Sequence, residues 1–241
     1  MSSRGRALAR KLLGQRGTAA VQAFLQAGSD AAATNDAIER ERLATVADGL
    51  ESARLHVGCG PRVLRGWLNV DLAFEPFEDY LAYYGDRFYP PEARGDRSDF
   101  FAIDVTQGLP LERDSVDVVF HEDFLEHISQ RDAFGFLAEV LRVLKPGGVH
   151  RVNTPDLIAS MREHSEFLRG RAGVYFDEWD RHAHLHVWTR SSLSEIASLV
   201  GYSEVIISQR DGSVAGSVPP EYRPDPADRA EDGNVFADLI K

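Results

Sequence analysis

The feature that most constrains the fold is Leu55-His56-Val57-Gly58-Cys59-Gly60-Pro61, an apolar run that breaks into glycines. A second run, Gly66-Trp67-Leu68-Asn69-Val70-Asp71, follows closely and ends in a carboxylate. A buried parallel strand reads as a continuous apolar run, and glycines at its C-terminal end let the backbone turn sharply against a ligand. Asp71, at the end of the next strand, can then accept both hydroxyls of a ribose, a task suited to an anionic pair of oxygens. The two runs together predict the opening of a nucleotide-binding sheet with Gly58, Cys59, Gly60 and Asp71 at the ligand.

From Arg54 onward strand-like and helix-like segments alternate, which implies a parallel sheet with helices on both faces. Strands are expected near 53–57, 67–71, 100–104, 116–120, 148–153, 203–208 and 234–240. Leu137, Val140, Leu141 and Leu144 follow i, i+3, i+4, i+7 on a helix that Pro146-Gly147-Gly148 should stop, and another helix is expected from Thr189 to Val200. Between Gly60 and Asp71 there is too little chain for a full helix, whereas dinucleotide folds place the acid about 20 residues after the glycines. The first crossover must be short, and a dinucleotide-dependent oxidoreductase becomes the weaker alternative.

These motifs resemble the class I S-adenosylmethionine-dependent methyltransferases, in particular the type 11-like subgroup that reads Gly-Cys-Gly followed closely by Gly-Trp-Ile-Asn-Val-Asp. Phe101-Ala102-Ile103-Asp104-Val105 is similar to the family's third strand, whose terminal Asp receives the adenine amino group. Ser115 to Phe120 leads into Phe124-Leu125-Glu126-His127, and Arg142-Val143-Leu144-Lys145-Pro146-Gly147-Gly148 matches the family's helix end. The resemblance implies a seven-stranded, mostly parallel Rossmann-like methyltransferase sheet (α/β). It also implies S-adenosyl-L-methionine as cofactor, held by Gly58, Cys59, Gly60, Asp71, Leu72, Asp104 and Val105. The chain departs from the pattern at Arg62, where the family has a third glycine, and at His56, where an acid or Asn is usual. His121-Glu122-Asp123 departs as well, replacing the start of Ser-x-His-x-Leu-Glu-His.

At 241 residues and 43% hydrophobic, the chain can bury a full core, read as a catalytic domain over 51–241. A formal charge of −11 argues against nucleic acid, whose binding rests on Lys and Arg displacing counterions. A single Cys excludes an internal disulfide and a multi-cysteine metal site, which suits a cytoplasmic protein. No apolar run approaches the ~20 residues needed to span a membrane.

Residues 1–50 read as a helical extension. The basic, acid-free stretch 1–29 would by composition also suit a transit peptide, but Leu8 with Leu12, and Val21 with Phe24 and Leu25, repeat at helical spacing. Thr18 and Gly28 are start and stop signals, and a third helix is expected from Asp36, with Glu39 completing a capping box, to Leu50. That helix would carry Leu43, Val46 and Leu50 on one face. The extension would cover the acceptor pocket or build a homodimer. Between Phe74 and Asp99, Tyr80, Tyr83, Tyr84, Phe88 and Tyr89 either pack an insertion or stack on a ligand. Pro219 to Gly233 is rich in Pro and acid, as a solvated loop would be.

Ligands of open α/β sheets bind at the C-terminal strand ends, which singles out His121-Glu122-Asp123 and Asn153-Thr154-Pro155-Asp156. His121, Asp123 and His127 are the candidates for a catalytic base, with Glu126 read as a helix-start residue. Asp156, His182, His184, His186 and Trp188 are the candidates for the acceptor side. The three alternating histidines share one side if the segment is extended. Trp188 suits either the core or the apolar face of a sugar. Glu122 and Asp123 form a candidate magnesium pair, with a further ligand from Asp156 or a nearby His. Neighbours on a strand point to opposite sides, so convergence would require a turn there, and capping of the next helix is the other reading.

The strings that mark DNA amino-methyltransferases and cytosine-C5 enzymes are absent, since no Asn/Asp-Pro-Pro-aromatic follows the fourth strand and the only Cys lies in the cofactor loop. What remains is a small polar acceptor. A lining of His, Asp and Glu suits a hydroxyl, whose high pKa needs a base at hand. The expected function is O-methylation of a sugar or saccharide conjugate, and the alternative is a non-catalytic, cofactor-binding regulatory protein.

Overall fold

The computed structural model describes residues 35–75, 88–163, 175–222 and 232–241. Contacts divide the chain into two units, Met1–Glu39 and Arg40–Lys241. Of the first unit only residues 35–39 are described, and they are helical. The expected helices around Leu8 to Leu12 and Thr18 to Gly28 lie outside the described residues, as do Tyr80, Tyr83, Tyr84 and most of the Pro219–Gly233 loop.

The larger unit is built on seven strands: β1 (Ala53–Val57), β2 (Leu68–Asp71), β3 (Phe100–Ala102), β4 (Val116–Glu122), β5 (Leu144–Pro155), β6 (Glu204–Ile207) and β7 (Asn234–Ile240). Their order is β3-β2-β1-β4-β5-β7-β6. β1 to β5 pair in parallel, and β7 returns antiparallel between β5 and β6. This is the mostly parallel Rossmann-like methyltransferase sheet. Strand order reverses between β1 and β4, so the crevice that such sheets offer a ligand opens at the C-terminal ends of these two strands.

The first crossover contains no helix: none of residues 58–67 is helical. The buried Asn69 carboxamide takes the place of one. Its Nδ2 donates to the carbonyls of Leu64 (2.8 Å), Trp67 (3.0 Å) and Asp99 (3.0 Å), and its Oδ1 accepts from Leu64 N–H at 2.8 Å. Tyr89 is fully buried and donates its hydroxyl to Val63 O, so this aromatic packs the connection between β2 and β3.

Helix α1 (residues 40–48) belongs to the same unit as the sheet, ahead of the domain boundary expected at 50/51. Leu43 sits in the main core with Leu55 and Val57, and Ala47 packs behind it, while Val46 and Leu50 are 39% and 42% exposed. The buried stripe is therefore Leu43 with Ala47, not Leu43, Val46 and Leu50. Arg40 donates to Gly108 O at 2.8 Å and to Asp104 O, which ties α1 to the end of β3.

Helix α2 (Gln130–Val143) buries Ala133, Phe136, Leu137, Val140 and Val143 against the sheet, with Ser129 as its N-cap. It stops before Leu144, one residue short of the expected stripe, because Leu144 already pairs with Val116 as the first residue of β5. The next β4–β5 pair is Val118 with Val149, so Lys145 to Gly148 bulge out of the ladder. Helices α3 (Leu157–Glu163) and α4 (Arg190–Val200) follow β5, and Thr189 caps α4 in a capping box. Across the outer half of the sheet, buried Arg151 pairs with Glu221 at 2.6 Å and lies 3.6 Å from Asp238, pinning the segment after β6 to the sheet.

Because Leu137 is fully buried while Leu199 is 78% exposed, Leu137→Ala should lower unfolding free energy by about 2–5 kcal/mol. Leu199→Ala should stay within roughly 0.5 kcal/mol of the parent. Denaturant unfolding of both variants checks the assignment of the core face.

Candidate cofactor and acceptor site

The glycine turn after β1 is shaped by close packing and by Asp71. Gly58 has φ +61, and a Cβ there would stand 2.7 Å from Phe124 Cδ2, so only glycine fits. Gly58 N–H donates to Val70 O at 2.9 Å, continuing the β1–β2 ladder into the turn. Gly60 N–H donates to Asp71 Oδ2 (2.8 Å) and Leu72 N–H to Asp71 Oδ1 (2.7 Å). Each carboxylate oxygen has a second lone pair with which to accept a hydroxyl. A Cβ built on Gly60 would meet nothing within 4 Å, so the turn presents an open face.

A cavity of about 140 Å³ lies between this turn (Gly58, Cys59, Gly60, Arg62) and the end of β4 (Glu122, Asp123). Beyond β2, Leu72 is 73% exposed. Asp104 Oδ1 caps the next turn, accepting from Thr106 N–H (2.9 Å) and Oγ1 (2.6 Å), and Val105 is buried there. An open glycine turn, a ribose-competent carboxylate and an exposed apolar side chain at adjacent strand ends fit a nucleoside cofactor. Burial raises the Cys59 thiol well above its ordinary pKa, so it stays neutral and is no nucleophile.

Arg62, which replaces the family's third glycine, is a structural cation. It is 3% exposed and donates from Nη1 to Glu122 Oε2 (2.5 Å) and from Nη2 to the carbonyls of Phe88 (2.9 Å) and Pro220 (2.6 Å). Glu122 Oε1 accepts from Tyr222 N–H at 2.5 Å. Burial pushes the Glu122 carboxyl up, and Arg62 opposes it. Asp123, at φ +44, lines the same cavity as Glu122 and accepts from Asn234 Nδ2 at 3.1 Å. Of the two acids read as a magnesium pair, Glu122 is engaged by Arg62 and Tyr222, and Asp123 accepts from Asn234 through one oxygen. Neither caps a helix in the bonds they make.

His121 points into the core and not toward the acceptor. It is fully buried between Phe124 and Phe136, and burial lowers its pKa to about 3. Its Nε2 stands 3.0 Å from His150 Nε2, and His150 Nδ1 stands 2.9 Å from the Tyr202 hydroxyl. Tyr202 gives its only proton to Leu137 O, so it must accept from His150 Nδ1–H, and His121 Nε2–H must then donate to His150 Nε2. Both rings are neutral in this chain of bonds. A base buried this way has no exit to the crevice.

His127 lies at the end of the turn Leu125–His127 and is exposed, with its ring edge-on to buried His184 at 5.0 Å. His184 Nδ1 is 3.0 Å from Glu178 Oε2, and its Nε2 is 4.0 Å from Glu126 Oε1. Glu126 is fully buried and accepts from Thr154 Oγ1 at 2.9 Å. The segment carrying the three histidines is not a strand, and Ala183 at φ +55 breaks the alternation. Leu185 N–H to Glu126 O and Leu157 N–H to Trp188 O, both 2.8 Å, hold it against the ends of β4 and β5. His182 stacks on His184 at the surface, centroids 5.6 Å apart, while His186 lies edge-on to Trp188. Trp188 belongs to the main core, so it offers no face to a sugar. Asp156 accepts from Ile158 N–H at 3.0 Å, starting α3, and stands 3.5 Å from Arg190 Nε. Arg62, Glu178 and Asn234 are not among the sequence candidates for this site, whereas Thr154 lies in the stretch singled out after β5 and Glu126 was read as a helix-start residue. Of the three that were missed, only Arg62 carries a signal in the chain, as a departure from the family motif.

Residues 55–152 match the family model described as a methyltransferase domain. The match takes in the glycine turn, Asp71 and β4, and it supports a class I S-adenosylmethionine-dependent methyltransferase family. A curated relative from Mycolicibacterium smegmatis, a "Probable S-adenosylmethionine-dependent methyltransferase", is 41% identical over 66 residues. That match covers 26% of this chain and spans a quarter, 25%, of the relative. Among solved structures, a SAM-dependent methyltransferase from Archaeoglobus fulgidus is 14% identical at a TM-score of 0.49, covering 79% of this chain and 87% of that one. A "possible histamine N-methyltransferase" from Thermotoga maritima is 17% identical at a TM-score of 0.46, covering 80% and 83%. A Burkholderia thailandensis 1,6-didemethyltoxoflavin-N1-methyltransferase is 16% identical at a TM-score of 0.45, covering 91% and 86%. Among the described residues, no helix is long and apolar enough to cross a membrane.

His56 and His121 both have pKa values lowered to about 3 by burial, and burial lowers His150 in the same direction. The unfolded chain binds these protons near pH 6.5 and the folded chain does not, so stability falls as pH drops from about 6.5 toward 3. Each such histidine contributes a slope of about 1.4 kcal/mol per pH unit within that window. Urea unfolding at a series of pH values should show the decline, and His121→Phe should make it shallower.

Proposed function

We propose that this chain is an S-adenosylmethionine-dependent O-methyltransferase that acts on a hydroxyl of a small polar acceptor, a sugar or saccharide conjugate. The observation that carries the reading is that Asp123 lines the same cavity as the glycine turn that Asp71 holds. When bound, the cofactor supplies an electrophilic methyl group on a sulfonium sulfur. Asp71 holds the ribose hydroxyls, and Leu72, Asp104 and Val105 receive the adenine end. Asp123 takes the proton of the acceptor hydroxyl, a role worth roughly 10²–10⁴-fold in rate. Holding the reacting atoms in one line accounts for a larger share, roughly 7–11 kcal/mol of barrier.

His127 supports a polar acceptor. Burial lowers its pKa below 6.5, so at neutral pH the exposed ring is uncharged and both donates and accepts hydrogen bonds. His182 and His184 extend the same polar wall. The net charge of −11 favours a neutral or cationic acceptor over a polyanion.

Calorimetry with S-adenosylhomocysteine and with NAD tests the cofactor. S-adenosylhomocysteine should bind and NAD should not. Asp71→Ala should weaken binding by about 1.5–3 kcal/mol, roughly 10- to 150-fold, and the exposed Glu112→Ala should leave it unchanged. Equal affinities for these two variants would remove Asp71 from the site. With saccharide candidates and cofactor, mass spectrometry should place the added methyl on oxygen. Asp123→Asn should lower turnover by about 10²–10⁴-fold without changing cofactor affinity, and wild-type turnover in that variant would overturn its role.

A further inference from the structure

We infer that Glu126, His127 and His184 form a binding site for one divalent transition-metal ion, zinc by the softness of the donor set, at the acceptor end of the crevice. One carboxylate oxygen and one nitrogen from each imidazole lie within 4.8 Å of one another. Zinc–ligand distances of about 2.0–2.2 Å place pairs of ligand atoms roughly 3–4 Å apart, so a shift of under ~1 Å closes the set. The 4.0 Å separation of His184 Nε2 from Glu126 Oε1 is too long for a hydrogen bond and suits two ligands of one ion.

What distinguishes the cluster from a chance gathering of side chains is the support behind each inner ligand. A metal-bound imidazole almost always donates its other ring N–H to a carboxylate or carbonyl, and His184 Nδ1 is 3.0 Å from the buried Glu178 carboxylate. That bond fixes the tautomer with the Nε2 lone pair facing Glu126. Glu126 is oriented in turn by the Thr154 hydroxyl at 2.9 Å, and its turn is tied to the histidine segment by Leu185 N–H. His127 closes the set from the exposed side, which leaves the ion an entry path and open positions for water or a hydroxyl. Two imidazoles and one carboxylate suit zinc and its transition-metal neighbours, whereas magnesium prefers oxygen ligands throughout.

The site stands on the cluster alone. Its use, to bind the acceptor hydroxyl and lower its pKa, rests on the function proposed above. Metal uptake is therefore measured on the full chain without methyl donor or acceptor, so that either idea can fail by itself.

Calorimetric titration of the metal-free chain with zinc chloride should give one equivalent bound, and titration with cobalt chloride should produce visible ligand-field absorption. His184→Ala and Glu126→Gln should abolish both signals, the second while keeping an oxygen that accepts from Thr154. Glu178→Gln should weaken binding by about 10- to 100-fold, as loss of a supporting partner does. Glu122→Gln should leave binding intact. No uptake by the wild-type chain, wild-type affinity in Glu126→Gln, or loss in Glu122→Gln alone would overturn the site. Thermal melts monitored by circular dichroism identify any variant that fails to fold, and if His184→Ala does, Glu126→Gln decides.

Discussion

The structure depends on one buried carboxamide. Asn69 bonds to the connection at Leu64 and Trp67, to Asp99 ahead of β3 and to His56 on β1, and so replaces the helix that usually separates the first two strands of a nucleotide-binding fold. A buried amide leaves few unsatisfied lone pairs and protons when it makes this many bonds, and each bond would be costly to orphan. With β1, β2 and the run into β3 locked in register, Asp71 arrives beside Gly60, and the cofactor turn takes its shape from that meeting.

Burial then sorts the histidines by chemistry. His56, His121 and His150 are enclosed, held neutral and used as hydrogen-bonding spacers, His56 stacked on Phe120 at 5.2 Å and the other two bridging to Tyr202. His127 and His182 are exposed and pack against His184, which is buried but keeps carboxylate partners at both ring nitrogens. The same side chain is a packing element in one layer and a partner of carboxylates in the other, and the groups that pack around it make the difference.

A second sorting separates the acids. Glu122 neutralises Arg62 beneath the cavity, Glu221 neutralises Arg151 beneath the segment that follows β6, and Asp123, next in sequence to Glu122, is left facing the cavity. A charge-assisted pair excluded from water makes a rigid floor, and a carboxylate bonded to a neutral amide remains available for proton transfer. On the proposed reading the crevice has a cofactor end built by backbone and Asp71, and an acceptor end built by side chains on β4, β5 and the segment before α4.

Much of this was legible in the chain. Strands surrounded by helices must be continuously apolar, so β1, β4 and the later strands stand out, and the helix α2 betrays its inner face by spacing. The glycine turn and Asp71 are also local, because backbone conformation at Gly58 and Gly60 is a property of those residues and their neighbours. The tertiary structure decided the rest. Arg62 meets Glu122 across 60 positions, Thr154 meets Glu126 across 28, and Asp123 meets Asn234 across 111. No periodicity records such partners. His121 was read as a base and became a core spacer, because its neighbours on the pleat could not say which face α2 would cover. Alternation would put His182, His184 and His186 on one side of an extended segment, and one residue at positive φ is enough to undo it. Local sequence specifies backbone conformation and which face is apolar, whereas the protonation and partnership of a polar group are set by whatever distant segment packs against it.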